Sequence, residues 1–146
     1  MYLLDTTHCL KLLFGLPNIA QKIESLGTIR LSTSIAVCGE LLYGVYKSER
    51  VIENLHDLEK FLKNIIIHDI DWETADIFAK LKVGILNHFG PKDKQKRRNF
   101  KLDSLGFKDN DLWIASTAIQ HNLILVSADS DLLNLNGIQG LKVENW

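Results

Sequence analysis

The sequence predicts an α/β fold: one domain over residues 1–146, with a central, mainly parallel sheet flanked by helices. Three observations carry that expectation. Short, almost uninterrupted apolar segments alternate with stretches of helical periodicity, the pattern of strands covered on both faces. The length of 146 residues suits one domain of ~100–200 and is too small for two separate cores. Apolar residues make up 46% and charged residues 24%, which excludes a disordered chain, a collagen-like chain and a disulfide scaffold.

Tyr2-Leu3-Leu4 is a short apolar run, and Asp5-Thr6-Thr7 suits the start of a helix that Leu10, Leu12, Leu13 and Phe14 continue until Gly15 and Pro17 stop it. Asn18 is expected to cap a second short helix through Leu26, ended by Gly27, and the β-branched content of Thr28 to Thr33 predicts a strand. From Ser34 the run Ile35-Ala36-Val37-Cys38-Gly39-Glu40-Leu41-Leu42-Tyr43 is too long and too rich in Leu and Ala for a strand. It predicts a buried helix whose one carboxylate is Glu40. Val51, Leu55, Leu58, Leu62 and Ile65 recur three and four apart, as in an amphipathic helix, and Ile65-Ile66-Ile67 follows as a strand. Trp72 to Phe89 reads as a long amphipathic helix with Lys82 the exception on its apolar face. Gly90-Pro91 ends it, and the polar, basic stretch up to Gly106 has the composition of a mobile loop. Asp109 or Asn110 opens a helix over Leu112 to Gln120, and Leu123 to Ser127 is a strand. Asp129-Ser130-Asp131 caps a short helix, Asn136-Gly137 turns the chain, and Leu141-Lys142-Val143 is a last strand.

In parallel sheets, sites form beyond the carboxyl ends of strands. Asp5 follows the first strand, Asp129 lies two positions beyond the strand at 123–127, and Asp111 starts the helix leading into that strand, so all three fall at one sheet edge. Glu40, about two turns into its helix, reaches the same edge if its face turns inward. Four carboxylates converging there repel by kilocalories at low dielectric, and a divalent cation is the natural compensation. Oxygen ligands select Mg²⁺ or Mn²⁺, and that chemistry points to phosphodiester hydrolysis. An Asp between strand and helix also serves as an N-cap worth ~1 kcal/mol, a reading that stands beside the first for Asp5 and Asp129. Glu40 is harder to assign to structure alone, because a carboxylate on an apolar helix face costs stability unless paired or metal-bound. Asp109 and Asp131 read as caps or as groups behind the ligands.

Five segments in order resemble a known family. Tyr2-Leu3-Leu4-Asp5-Thr6, Glu40-Leu41-Leu42-Tyr43-Gly44, Asp109-Asn110-Asp111-Leu112-Trp113-Ile114-Ala115, Leu125-Val126-Ser127-Ala128-Asp129 and Leu141-Lys142-Val143-Glu144-Asn145-Trp146 are similar to the motifs of PIN-domain ribonucleases of the VapC toxin type. The resemblance spans nearly the whole chain. It implies a PIN-like α/β domain and a Mg²⁺- or Mn²⁺-dependent endoribonuclease, often homodimeric and silenced by a cognate antitoxin. It also implies Asp5, Glu40 and Asp111 as core metal-binding acids and Asp129 as the fourth, with Ser127, Thr6 and Asp109 supporting them. The departure is the segment from Pro91 to Leu105, longer than the Gly-rich link usual before the Asp111 motif.

That segment carries six basic residues against two acidic ones, a local charge of +4 in a chain of net charge −1. Its Lys96, Arg97 and Arg98 are candidate contacts for RNA phosphates; a solvated loop or a surface for an acidic partner is the plainer reading. Phe100 within it either stacks on a base or pins the loop to the core. His8, His56, His68, His88 and His121 have no zinc-site spacing and receive surface or packing roles. Trp72, Trp113 and Trp146 are expected to bury apolar area, with Trp113 behind the site; Tyr43 and Tyr46 are core or an exposed partner patch. Cys9 and Cys38, in apolar surroundings, are expected to be reduced and buried. No basic leader and no apolar run of ~18 residues occur, so the expectation is a soluble, cytoplasmic protein without membrane contact. Two other functions fit parts of the pattern. One is an aspartyl-phosphate phosphohydrolase with Asp5 as nucleophile, although Thr7 stands where its second Asp belongs. The other is a non-catalytic RNA- or protein-binding module in which the acids are caps.

Overall fold

Strands β1 (Tyr2–Leu4), β2 (Leu31–Ser34), β3 (Ile66–His68), β4 (Ile124–Val126) and β5 (Lys142–Glu144) pair in parallel throughout, in the order β3-β2-β1-β4-β5. This is seen in a computed structural model that describes residues 1–146 apart from the side chain of Asp103. Tyr2 stands opposite both Leu31 and Ile124, Leu4 opposite Val126, Ser34 opposite His68 and Val126 opposite Glu144. The carboxyl ends of the strands therefore share one edge. The chain builds outward from β1 to β3 on one side and then to β5 on the other. That reversal opens a crevice beyond the ends of β1 and β4, where such sheets place their sites.

The connections are α1 (Thr6–Leu13), α2 (Pro17–Ser25), α3 (Ile35–Tyr46), α4 (Val51–Leu62), α5 (Trp72–Phe89), α6 (Lys94–Arg98), α7 (Asp109–Gln120) and α8 (Ser130–Asn134). Leu3, Leu4, Leu125 and Val126 are wholly buried and join Val37, Leu81, Ile85, Leu112 and Ile114 from the flanking helices in one core. Phe78 of α5 stacks on Trp113 of α7 with centroids 4.0 Å apart and planes 10° from parallel, which sets Trp113 against α5.

Five expectations are corrected. The second strand is Leu31–Ser34, not 28–33, and it is polar yet interior to the sheet. Its buried hydroxyls are satisfied locally: Ser32 donates to the Tyr2 carbonyl at 2.9 Å, Thr33 to that of Leu4 at 3.0 Å, and Ser34 accepts from the Val37 N–H at 3.3 Å. The second helix begins at Pro17 with Leu16 as N-cap, because proline's fixed φ suits the first helical position; Asn18 lies inside it. Strand β3 is an edge strand with Ile66 and Ile67 exposed, so the sheet is not covered on both faces throughout. The segment 91–105 is ordered as α6, capped by Asp93, followed by a 3₁₀ turn at Leu102–Leu105. Trp72 is 88% exposed, at the first position of α5 just after its Asp71 cap. Cys9 and Cys38 are buried free thiols, as expected. Among the described residues, no helix is long and apolar enough to cross a membrane.

Candidate active site

Asp5 is the residue after β1, and its N–H donates to the Val126 carbonyl at 3.2 Å, which ties it to β4. It is also the N-cap of α1. Its Oδ1 accepts the His8 N–H at 2.7 Å and faces His8 Nδ1 at 2.8 Å. Glu40 turns inward from α3 and accepts a hydrogen bond from the Thr6 hydroxyl, next to Asp5. Asp129 caps α8 by accepting the Asp131 N–H at 2.7 Å, and its own N–H donates to buried Ser127 Oγ at 3.1 Å. The cap readings for Asp5 and Asp129 are thus real. Capping and proximity to the other acids coexist, because the last residue of a strand–helix turn points both at the helix N–H groups and past the sheet edge.

Asp111, in the first turn of α7, reports on the whole group. Its carboxyl is pushed up to about 6, first by burial, then by the charge of Asp129; Lys108 pulls it down, and Glu40 and Asp5 push it further up. Acids separated by more than a hundred residues therefore act on one carboxyl group. As the chain stands, no group of three or more His, Cys, Asp or Glu side chains among the described residues is arranged to hold a metal ion. The donor set is nevertheless suited to Mg²⁺ or Mn²⁺: all oxygen, one half-buried acid of raised proton affinity, and no sulfur or imidazole replacing a carboxylate.

Asp109 is not among the charges acting on Asp111. It pairs instead with Lys82 of α5 at 2.6 Å, two residues along a helix being about 200° apart in direction. Lys96 and Arg98 are exposed on α6, while the Arg97 guanidinium donates to Asn87 of α5. Phe100, Lys82, Lys101 and Asp109 line a cleft of about 400 Å³ between α5 and the start of α7. A larger cavity of about 730 Å³ between α1, α3 and α4, lined by Leu13, Phe14, Leu41, Val45 and Phe61, contains none of the four acids. Sequence reasoning passed over two neighbours of the site, His8 and Lys108. Each stands three positions from an acid, His8 from Asp5 and Lys108 from Asp111, and that i,i+3 spacing was the available signal.

Acids placed at the point where a five-stranded parallel sheet reverses its order define a class of protein in which carboxylates, some of them also helix caps, are presented at one sheet edge. Residues 2–138 match the profile of the PIN domain, and the chain belongs to that family. It is 29% identical over 150 aligned residues to Ribonuclease VapC2 of Rickettsia felis, covering all of this chain and 98% of that one. It is 24% identical to the tRNA(fMet)-specific endonuclease VapC of Salmonella typhimurium, covering 99% and 97% of the two chains. In fold it is similar to a chain of the Rickettsia felis VapBC2 structure bound to a promoter DNA fragment, with a TM-score of 0.76 and 27% identity over 99% of this chain and 98% of that one.

Proposed function

We propose that this PIN-domain protein is a Mg²⁺- or Mn²⁺-dependent endoribonuclease that hydrolyses RNA phosphodiester bonds and serves as the toxin of a type II toxin–antitoxin pair. The observation that carries the reading is the Asp111 carboxyl, raised to about 6 first by burial and then by the charge of Asp129, with Glu40 and Asp5 adding to it. Asp5, Glu40, Asp111 and Asp129 would hold the cation. When bound, it supplies neutralisation of the phosphate charge and acidification of the attacking water. The chain's own groups do the rest. The Thr6 hydroxyl restrains the Glu40 carboxylate, Ser127 Oγ accepts from the Asp129 N–H, and Lys108 offsets part of the negative field at Asp111. Lys96, Arg97 and Arg98 would take the RNA backbone by phosphate contact.

The similarity to VapC ribonucleases and to a VapBC complex supports a cognate antitoxin as partner; a homodimer as the working form and the cytoplasm as the place of action belong to the same proposal. The test is cleavage of total RNA by the purified chain with Mn²⁺ or with EDTA. Cleavage is expected with Mn²⁺ only, and Asp5→Asn should abolish it while far-UV circular dichroism is unchanged. Undiminished cleavage by Asp5→Asn would refute the assignment. The absence of any Mn²⁺-dependent turnover would favour a non-catalytic binding module, and a trapped phosphoryl group on Asp5 a phosphohydrolase.

A further inference from the structure

We infer that His8 is a positioning residue that fixes which oxygen of Asp5 is offered to a metal ion. The inference rests on the reading of Asp5 as a metal ligand. His8 is fully buried on α1, with its ring between Asp5 and the Trp146 backbone. Nδ1 stands 2.8 Å from Asp5 Oδ1, and Nε2 stands 3.4 Å from the backbone oxygen of Trp146. Helix capping alone does not call for this ring. The His8 backbone N–H already serves the cap at 2.7 Å, and an apolar side chain at position 8 would fill the core without desolvating two ring nitrogens. The imidazole is oriented because Nδ1–H donates to Asp5 Oδ1, while the Nε2 edge packs against the Trp146 backbone.

The consequence lies in where the bonds converge. The backbone N–H and Nδ1–H of His8 both donate to the same oxygen, Oδ1. That oxygen's lone pairs are committed, so Oδ2 is the one free to ligate, and Asp5 acts as a one-oxygen ligand with a fixed plane. The ring cannot swing away, because Trp146 backs it. The Trp146 indole N–H donates to Glu144 of β5 at 3.3 Å, and its ring meets Tyr2 of β1 edge-on at 4.9 Å. Hydrogen-bonded groups behind a metal ligand hold its orientation, and losing one typically weakens metal binding 10–100-fold.

The test uses the full-length chain and Mn²⁺ alone, with calorimetric titration as the readout and urea midpoints in EDTA as the control for folding. An Asn amide can donate from the place of Nδ1; a Gln amide reaches the place of Nε2. His8→Asn should bind Mn²⁺ within about threefold of the parent, whereas His8→Gln and His8→Leu should bind about 10–100-fold more weakly, whatever their EDTA midpoints. Equal Mn²⁺ affinity in the Asn and Gln variants overturns the inference, even where the Leu variant fails to fold. Asp5→Asn, titrated alongside, separates the two levels. If it binds Mn²⁺ like the parent, Asp5 is no ligand and both readings fall. If it loses binding while His8→Gln keeps it, only the role of His8 falls.

Discussion

Replacing Asp111 by Asn removes a carboxylate that the folded protein holds at a cost. With its carboxyl raised from 3.8 to about 6, ionisation of the folded chain at pH 8 costs at most about 3 kcal/mol, at ~1.36 kcal/mol for each tenfold change in proton affinity. The partial exposure of Asp111 trims this toward about 2 kcal/mol. The sign follows from proton counting. Between pH 3.8 and about 6 the folded chain binds more protons at Asp111 than the unfolded chain, so the stability it contributes is full below 3.8 and lost as the pH rises through about 6. In EDTA, the melting temperature of Asp111→Asn minus that of the parent should therefore be small near pH 4, grow as the pH rises to about 6 and level off above it. Its rise should reach roughly 4–12 °C, at ~2–4 °C per kcal/mol for a domain of this size. Saturating Mn²⁺ should reverse the order at pH 8, because about 2.7 kcal/mol accrues to a site at a hundred times its dissociation constant and the variant has lost a ligand. Differential scanning calorimetry at four pH values, with and without Mn²⁺, reads both effects. A difference that stays flat from pH 4 to 8 would refute the clustering of charges around Asp111.

Three further outcomes are expected. Changing Lys96, Arg97 and Arg98 together to Ala should weaken binding of a single-stranded RNA oligonucleotide and reduce its log–log salt slope by up to ~2, at ~0.7 per phosphate contact, measured by fluorescence anisotropy in Asp5→Asn to prevent cleavage. Ile114→Ala empties part of the core, since Ile114 is 1% exposed, and should cost about 2–5 kcal/mol in urea unfolding. Burial pushes the Cys9 thiol up to about 12 and raises that of Cys38, so neither should react promptly with a disulfide reagent at pH 8, whereas urea should expose both.

The alternation of apolar runs with helical periods was legible along the chain because period and punctuation are local: α5 runs from Trp72 to Phe89 as read, and Asp129 caps α8 as read. So was the position of Asp5, Asp111 and Asp129 at strand ends and a helix start, which depends only on neighbouring residues. Tertiary structure alone decided that β1 lies between β2 and β4, the pairing that brings the turn after Leu4 beside the turn after Val126. It also decided that Glu40 faces Thr6, that Asp109 turns to Lys82, and that the polar strand Ser32-Thr33-Ser34 is buried, because its hydroxyls have carbonyl and helix partners that no propensity scale counts. Trp72 stands in water where its type suggested burial, and His8 meets a backbone oxygen 138 positions away. Such outcomes follow from long-range packing, which weighs every face of the chain at once, while a window of sequence carries only the preference of each piece. Local pattern thus named the acids; the sheet order and the loss of solvent around Asp111 brought their charges to bear on one carboxyl group.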